Sequence, residues 1–209
     1  QATLDQIESG AEDDDAYKSP AELRDDLETL QQSITANRGR RVFDEYFQPW
    51  LDLLDTFGFH YAKLDIRQNS ELHRQCLSEI LALQSASVEE INVETLTQLF
   101  EDPGEAGQID LDELSAQSQE VFGAFLLLAE EFQARGGAGI GCYVISMTHS
   151  PADVLVALWL WRAAWLHEGG DEESMPHLPM APLFETIDDL RRAGAIAVRA
   201  IHERPALEL

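Results

Sequence analysis

The stretch that decides the fold is FHYAKLDIRQNSELHRQCLSEILAL, residues 59–83. From Phe59 to Arg67 it alternates apolar and polar side chains, and this period of two is typical of a β-strand. One face carries the apolar residues Ala62, Leu64 and Ile66, and the other carries the charged residues Lys63, Asp65 and Arg67. From Ser70 onward the apolar residues recur at helical spacing, as Leu72, Cys76, Leu77 and Ile80. The stretch therefore predicts one strand followed by one helix.

The same alternation continues toward the carboxyl end. Short apolar runs at 140–147 and 178–184 predict two more strands. Helices are predicted between and after these runs, at 115–134, at 154–166 and from Thr186. Strands that alternate with helices favour a parallel sheet with right-handed crossovers. The expected fold class is therefore a helix-rich α/β protein, with helices packed on the outer face of parallel strands.

Toward the amino end, the pattern predicts two helices, and the second, over 42–57, contains Pro49, which we expect to divide or kink it. Residues 1–16 are acidic and are predicted to form a flexible leader. Residues 84–118 are predicted to form an acidic insertion of short helices and a mobile loop. The remainder, 17–209, is predicted to be a single helix-rich segment that contains this insertion.

Composition excludes several classes of partner. The chain has 39 acidic and 14 basic residues and a formal charge of -25, so a basic surface for nucleic acid is not expected. Its longest apolar run is shorter than the roughly 20 residues that a membrane span needs. Cys76 and Cys142 are far apart and suggest neither a disulfide framework nor a metal site, which favours a reducing, cytoplasmic setting. A solvated surface or adaptation to salt would each account for the acidic excess.

Candidate site residues follow the predicted strands. Arg67 ends the first strand, His149 follows the second, and Glu185 follows the third. Ligands of parallel α/β proteins bind at the carboxyl ends of strands, so Arg67 and Glu185 are expected to lie at one mouth. Structural interpretations stay open for each: Arg67 could pair with Asp65 or another acid, and Glu185 could stabilise a helix start. His149 is expected to be a loop or cap residue.

Three segments resemble the phosphoenolpyruvate carboxylase family. Residues 57–70, FGFHYAKLDIRQNS, are similar to the family's TFG…LDIRQ-S segment. Residues 143–155, YVISMTHSPADVL, are similar to its YVISM…SDVL segment, and residues 182–190, PLFETIDDL, to its PLFETxDDL segment. The three stand in the family's order, and weaker likeness covers most of the chain.

This resemblance implies carboxylation of phosphoenolpyruvate by bicarbonate, through carboxyphosphate and an enolate, to give oxaloacetate and phosphate. It implies a barrel of eight strands, of which this chain would hold about three as a partial TIM-type (β/α) barrel, in an enzyme that is a homo-oligomer. Arg67 stands where the family has a catalytic arginine that binds the phosphate or carboxyphosphate. Glu185 stands where the family has a glutamate ligand to Mg²⁺ or Mn²⁺.

Other family segments are not found in these 209 residues. They are the TVHPTE-like segment with the catalytic histidine, the YSDSAKD-like segment with a second metal carboxylate and a lysine, and the glycine-rich HGRGG loop. We therefore expect an internal fragment of the carboxylase that is inactive alone. The alternative is a non-catalytic helical scaffold or binding module derived from the carboxylase. Retention of both Arg67 and Glu185 favours the enzyme fragment.

Overall fold

The computed structural model describes residues 16–84, 90–101 and 106–202. The chain divides into two compact units, and the boundary lies between Lys63 and Leu64. We did not predict this boundary inside the segment 17–209, and the assignment of that whole segment to one carboxylase barrel stays a prediction. The predicted leader, apart from its last residue, lies outside the described residues.

The first unit contains three helices among its described residues: α1 (Pro20–Ala36), α2 (Arg40–Tyr46) and α3 (Gln48–Phe57). The hydroxyl of Ser19 caps α1 by accepting a hydrogen bond from the backbone N–H of Glu22. The helix predicted over 42–57 is divided at Phe47, because Pro49 is accommodated in the first turn of a new helix rather than in the interior of one. Side chains from all three helices form a small core: Leu27, Phe43, Leu51 and Leu54.

The second unit is built on a sheet of three strands, in the order β1 (Leu64–Asn69), β2 (Ile140–Ser146) and β3 (Met180–Pro182). Both strand pairs are parallel, which confirms the prediction from the three apolar runs. The third strand is short because prolines, which lack an N–H for the ladder, stand at its start and end. The helix-rich α/β class is thereby confirmed.

The first strand differs from its predicted extent. It begins at Leu64 rather than near Phe59, because the chain turns at Tyr61, whose φ is +54°. Its pairing with β2 also shifts register between Leu64 and Ile66, as at a β-bulge. Helices on the outer face of the strands would be expected to bury the apolar set of this strand, Ala62, Leu64 and Ile66. This holds for Ile66, which packs on the core, and is wrong for Leu64, which is 69% exposed. Ala62 is also exposed and precedes the strand.

Five helices and a short 3₁₀ turn accompany this sheet in the described part of the chain. They are α4 (Ser70–Leu83), α5 (Val93–Glu101), the 3₁₀ turn Leu111–Glu113, α6 (Ala116–Arg135), α7 (Pro151–His167) and α8 (Ile187–His202). The predicted helices at 70–83, 115–134, 154–166 and from Thr186 are confirmed. The short helices expected within 84–118 are α5 and the 3₁₀ turn, whereas the mobile loop expected there stays a prediction.

The core of the second unit is centred on α7. This helix contacts α4, α5, α6 and α8, so it is apolar around its whole circumference and most of its residues are buried. Trp159 and Trp161 are each 1% exposed and are among the largest fully buried side chains of the described residues. Because the strands are parallel, all three end at one edge of the sheet, and from this edge the chain continues into α4, α7 and α8.

Candidate active site

Arg67 and Glu185 meet at the carboxyl edge of the sheet. Nη2 of Arg67 lies 2.8 Å from Oε1 of Glu185, although 118 positions separate the two residues in the sequence. Their side chains are 58% and 35% exposed, so this ion pair faces solvent. The prediction that both residues lie at one mouth is confirmed, while the roles assigned to them stay predictions.

The second oxygen of Glu185 is held by the end of β2. The backbone N–H of Met147 donates to Oε2 at 2.8 Å. The same loop is fixed to the segment after β3, because the N–H of Thr148 donates to the carbonyl of Leu183 at 3.0 Å. Glu185 is therefore positioned by donors from two neighbouring strands, the side chain of Arg67 near the end of β1 and the backbone N–H of Met147 directly after β2.

Asp65 accepts a backbone hydrogen bond in the structure, whereas the sequence suggested an ion pair with Arg67. Its Oδ1 accepts a hydrogen bond from the backbone N–H of Cys142 at 2.9 Å, where the β1–β2 register shifts. Asp65 therefore satisfies a backbone donor that the irregular ladder leaves without its usual partner. Arg67 pairs with the distant Glu185, which is one of the structural interpretations that the sequence left open.

His149 lies in the loop after β2, as expected, and its ring is held by a buried carboxylate. Its Nδ1 is 2.8 Å from Oδ2 of Asp189, whose side chain is 2% exposed. Two hydrogen bonds lower the pKa of Asp189 below its ordinary value. The bond from the hydroxyl of Thr186 has the larger effect, and the bond from His149 has the smaller one. Sequence reasoning missed this partner, although the spacing of Thr186 and Asp189 matches a helix-start pattern that could have pointed to it.

An open cavity of about 400 Å³ is formed where the chain leaves β1 and β2, and His149 is part of its lining. Arg74 crosses its wall and donates to three groups: Oδ1 of Asp153 at 2.6 Å, the hydroxyl of Ser150 at 3.0 Å and the carbonyl of Ile91 at 2.8 Å. These bonds occupy the guanidinium and tie α4 to the start of α7. The cavity is lined by Asn69, Ser70, Glu71, Arg74, Met147, His149, Ser150 and Asp153.

The donor set at this edge fits one carboxylate ligand to a divalent ion. Glu185 offers hard oxygen atoms at a partly exposed position, and Mg²⁺ commonly uses only one or two protein carboxylates together with water and substrate oxygens. Within the described ranges, no group of three or more His, Cys, Asp or Glu side chains is placed to hold a metal. A metal bound through Glu185 would therefore need further ligands from substrate, water or other protein segments.

The fold and the site define an α/β protein with an arginine–glutamate pair at the carboxyl ends of parallel strands. Comparison with known families gives a match between residues 1–208 and the model of the phosphoenolpyruvate carboxylase family. The chain belongs to the phosphoenolpyruvate carboxylase family. Among the described residues, no helix is both long and apolar enough to cross a membrane.

Curated relatives support the same assignment. The chain is 36% identical over 195 residues to a phosphoenolpyruvate carboxylase of Xanthomonas euvesicatoria, a match that covers 91% of this chain and 20% of the relative. It is 33% identical over 194 residues to the Mycobacterium avium enzyme, covering 90% of this chain and 21% of that protein. The chain thus spans about a fifth of the length of these relatives.

Proposed function

We propose that this chain carries part of the active site of a phosphoenolpyruvate carboxylase, within a partial (β/α) barrel of the TIM type. The supporting observation is the contact between Arg67 and Glu185 at the carboxyl edge, within two segments that resemble the family. The reaction joins phosphoenolpyruvate and bicarbonate to give oxaloacetate and phosphate, in an enzyme that we expect to be a cytoplasmic homo-oligomer.

In the proposed reaction, an oxygen of bicarbonate attacks phosphorus, the bond from phosphorus to the enol oxygen breaks, and its electron pair remains on the enolate. Arg67 binds the transferred phosphoryl group, because its planar fork matches two oxygens of an oxyanion. Glu185 would hold Mg²⁺ or Mn²⁺, which supplies positive charge where the enolate charge develops. The carboxyl carbon then forms its bond to the enolate carbon, and phosphate leaves.

The ion pair keeps both groups ready for charged ligands. Arg67 and Glu185 neutralise each other, and their partial exposure leaves them open to exchange with an anion and a cation. Glu185 keeps its second contact, to the N–H of Met147, when Arg67 turns to a substrate anion. The chain alone is proposed to be inactive, because the family's catalytic histidine, second metal carboxylate, lysine and glycine-rich loop are not found in its sequence.

The test is an oxaloacetate assay on the full-length enzyme with phosphoenolpyruvate, bicarbonate and Mn²⁺. Removal of one preorganised electrostatic group commonly costs about 100- to 1,000-fold in rate, and we expect losses of at least this size for Arg67→Ala and Glu185→Ala. The 209-residue chain by itself is expected to give no turnover.

Matched controls are Arg40→Ala and Glu94→Ala, which remove residues of the same types from exposed ion pairs elsewhere on the chain. We expect full activity from both controls. Full activity in Arg67→Ala would show that Arg67 does not bind the transferred phosphoryl group. Turnover by the isolated chain that is lost in Glu185→Ala would show that the site is complete within these residues.

A further inference from the structure

Met147 has a backbone conformation that its side chain disfavours. Its φ is +55°, in the left-handed region that L-residues other than glycine, asparagine and aspartate rarely enter. It is the first residue after β2, and its N–H donates to Oε2 of Glu185 at 2.8 Å. Such a conformation persists only where surrounding contacts hold it, and strained residues of this kind cluster at functional sites.

The contact that holds Met147 from the other side comes from Ser70. The hydroxyl of Ser70 donates to the carbonyl oxygen of Met147 at 2.7 Å, and Ser70 is 3% exposed. The next residue, Thr148, is fully buried and is fixed by its N–H to Leu183 and by its hydroxyl to Ile145. Both peptide groups flanking Met147 are thus hydrogen-bonded, and the turn is held from the start of α4, from β2 and from the segment after β3.

We propose that Ser70 is a positioning residue for Glu185, and that it acts through the backbone of Met147. The Ser70 hydroxyl holds Met147 in the left-handed conformation, and this conformation directs the Met147 N–H at the Glu185 carboxylate. The proposal rests on the proposed function, in which Glu185 is the metal ligand of this chain. The proposed positioning depends on the backbone N–H and carbonyl of Met147 and does not involve the methionine side chain.

The first measurement is amide hydrogen exchange at residue 147 by NMR on the 209-residue chain. We expect Ser70→Ala to accelerate this exchange by about tenfold. Without the Ser70 hydrogen bond, Met147 is free to leave the left-handed region, and the free-energy cost of that region for an L-residue corresponds to about this factor. Glu185→Ala, which removes the acceptor of this N–H, is expected to accelerate it as well. Unchanged exchange in Ser70→Ala would overturn the proposal.

The matched control is Ser146→Ala. Ser146 is also buried, and its hydroxyl donates to the backbone carbonyl of Gln68 in β1 at 3.2 Å. This side chain is therefore hydrogen-bonded to β1 and not to the backbone of Met147. We expect Ser146→Ala to leave exchange at residue 147 unchanged. Equal acceleration in both variants would show a general loosening of the β1–β2 contact and would contradict a specific role for Ser70.

A second variant tests whether backbone strain is the link. Glycine adopts positive φ without the penalty of a side chain, so Met147→Gly is expected to keep the N–H directed at Glu185. The double variant Ser70→Ala with Met147→Gly should then exchange more slowly at residue 147 than Ser70→Ala alone, by about threefold or more. Exchange in the double variant as fast as in Ser70→Ala would count against the proposal.

In the full-length enzyme, Ser70→Ala is expected to lower kcat by about 10- to 100-fold, since a misplacement of 1 Å can cost 100-fold. Partial recovery on adding Met147→Gly is expected, whereas Ser146→Ala is expected to remain near wild type. A wild-type enzyme without carboxylase activity would refute the proposed function and leave the exchange results standing. Full activity in Ser70→Ala would refute the positioning role.

Discussion

At the residue scale, His73 shows how burial sets the chemistry of a side chain. It is 0% exposed, and its Nε2 lies 2.8 Å from the hydroxyl oxygen of Tyr143. Its Nδ1 has no hydrogen-bond partner in the part of the chain that the structure describes. Burial lowers the pKa of His73 to about 4, against an opposing effect of the nearby Asp153 charge. His73 is therefore neutral in the folded protein at physiological pH.

This lowered pKa makes stability depend on pH. The unfolded chain binds a proton at His73 near pH 6.5, whereas the folded chain resists it down to about pH 4, so the free energy of unfolding falls as pH falls through this window. We expect the contribution of His73 to be at most about 3 kcal/mol over the window. Urea unfolding at several pH values will measure it.

His73→Gln, which cannot titrate, is expected to flatten the pH dependence between about pH 6.5 and 4, whatever its effect on stability at neutral pH. The control is His202→Gln, which makes the same substitution at an exposed position, and the slopes of the two variants are compared. A slope in His73→Gln equal to that of the wild type would mean that carboxylates alone account for the acid sensitivity.

At the element scale, the starts of α4 and α7 are joined by an ion pair. Nε of Arg74 lies 2.6 Å from Oδ1 of Asp153, whose side chain is 3% exposed. The other oxygen of Asp153 accepts hydrogen bonds from the backbone N–H groups of His149 and Ser150. Asp153 therefore both caps the start of α7 and fixes the neighbouring helix α4.

The ion pairs Arg74–Asp153 and Arg67–Glu185 are expected to differ in their effect on stability. Removal of one partner from a buried pair typically costs about 3–5 kcal/mol, and we expect Arg74→Ala to approach this range. Arg67→Ala breaks the more exposed pair with Glu185 and is expected to cost less than about 1 kcal/mol. Urea unfolding of both variants provides the comparison, and each serves as the control for the other.

Equal destabilisation by the two substitutions would contradict this ranking. A cost above about 2 kcal/mol for Arg67→Ala would indicate that the Arg67–Glu185 contact is structural, since exposed pairs rarely contribute so much. A cost below about 1 kcal/mol would instead indicate that Arg67 serves binding and catalysis rather than stability.

At the scale of the whole molecule, the formal charge of -25 is the dominant feature. Repulsion among acidic groups opposes the compact state. Raising NaCl from about 0.1 M to about 1 M shortens the screening length from about 10 Å to about 3 Å. We therefore expect the free energy of unfolding to rise with salt, as measured by urea titration at each salt concentration.

A variant that replaces the exposed residues Glu113, Glu120 and Glu130 by glutamine is the comparison. It should be more stable at low salt and show a weaker dependence on salt than the wild type. Stability that is independent of salt, or that falls with it, would favour the interpretation of the acidic residues as a solvated surface without adaptation to salt.

The sequence by itself predicted the helices and strands and the order in which they follow one another. Periodicity and the position of Pro49 are local signals, because each arises from the geometry of a few consecutive residues. They predicted the strand at 140–147, the helix at 154–166 and the division of 42–57. The family segments likewise lie in short, continuous stretches, which is why Arg67 and Glu185 could be singled out.

Only the tertiary structure decided which side chains meet. The pairing of Arg67 with Glu185, the buried contact of His73 with Tyr143 and the ion pair of Arg74 with Asp153 each join positions 70 or more apart. Such contacts depend on strand register and helix packing, which are properties of the assembled sheet and core. The left-handed backbone of Met147 is a further example, because a methionine disfavours that conformation and a hydrogen bond from Ser70, at the start of α4, holds it.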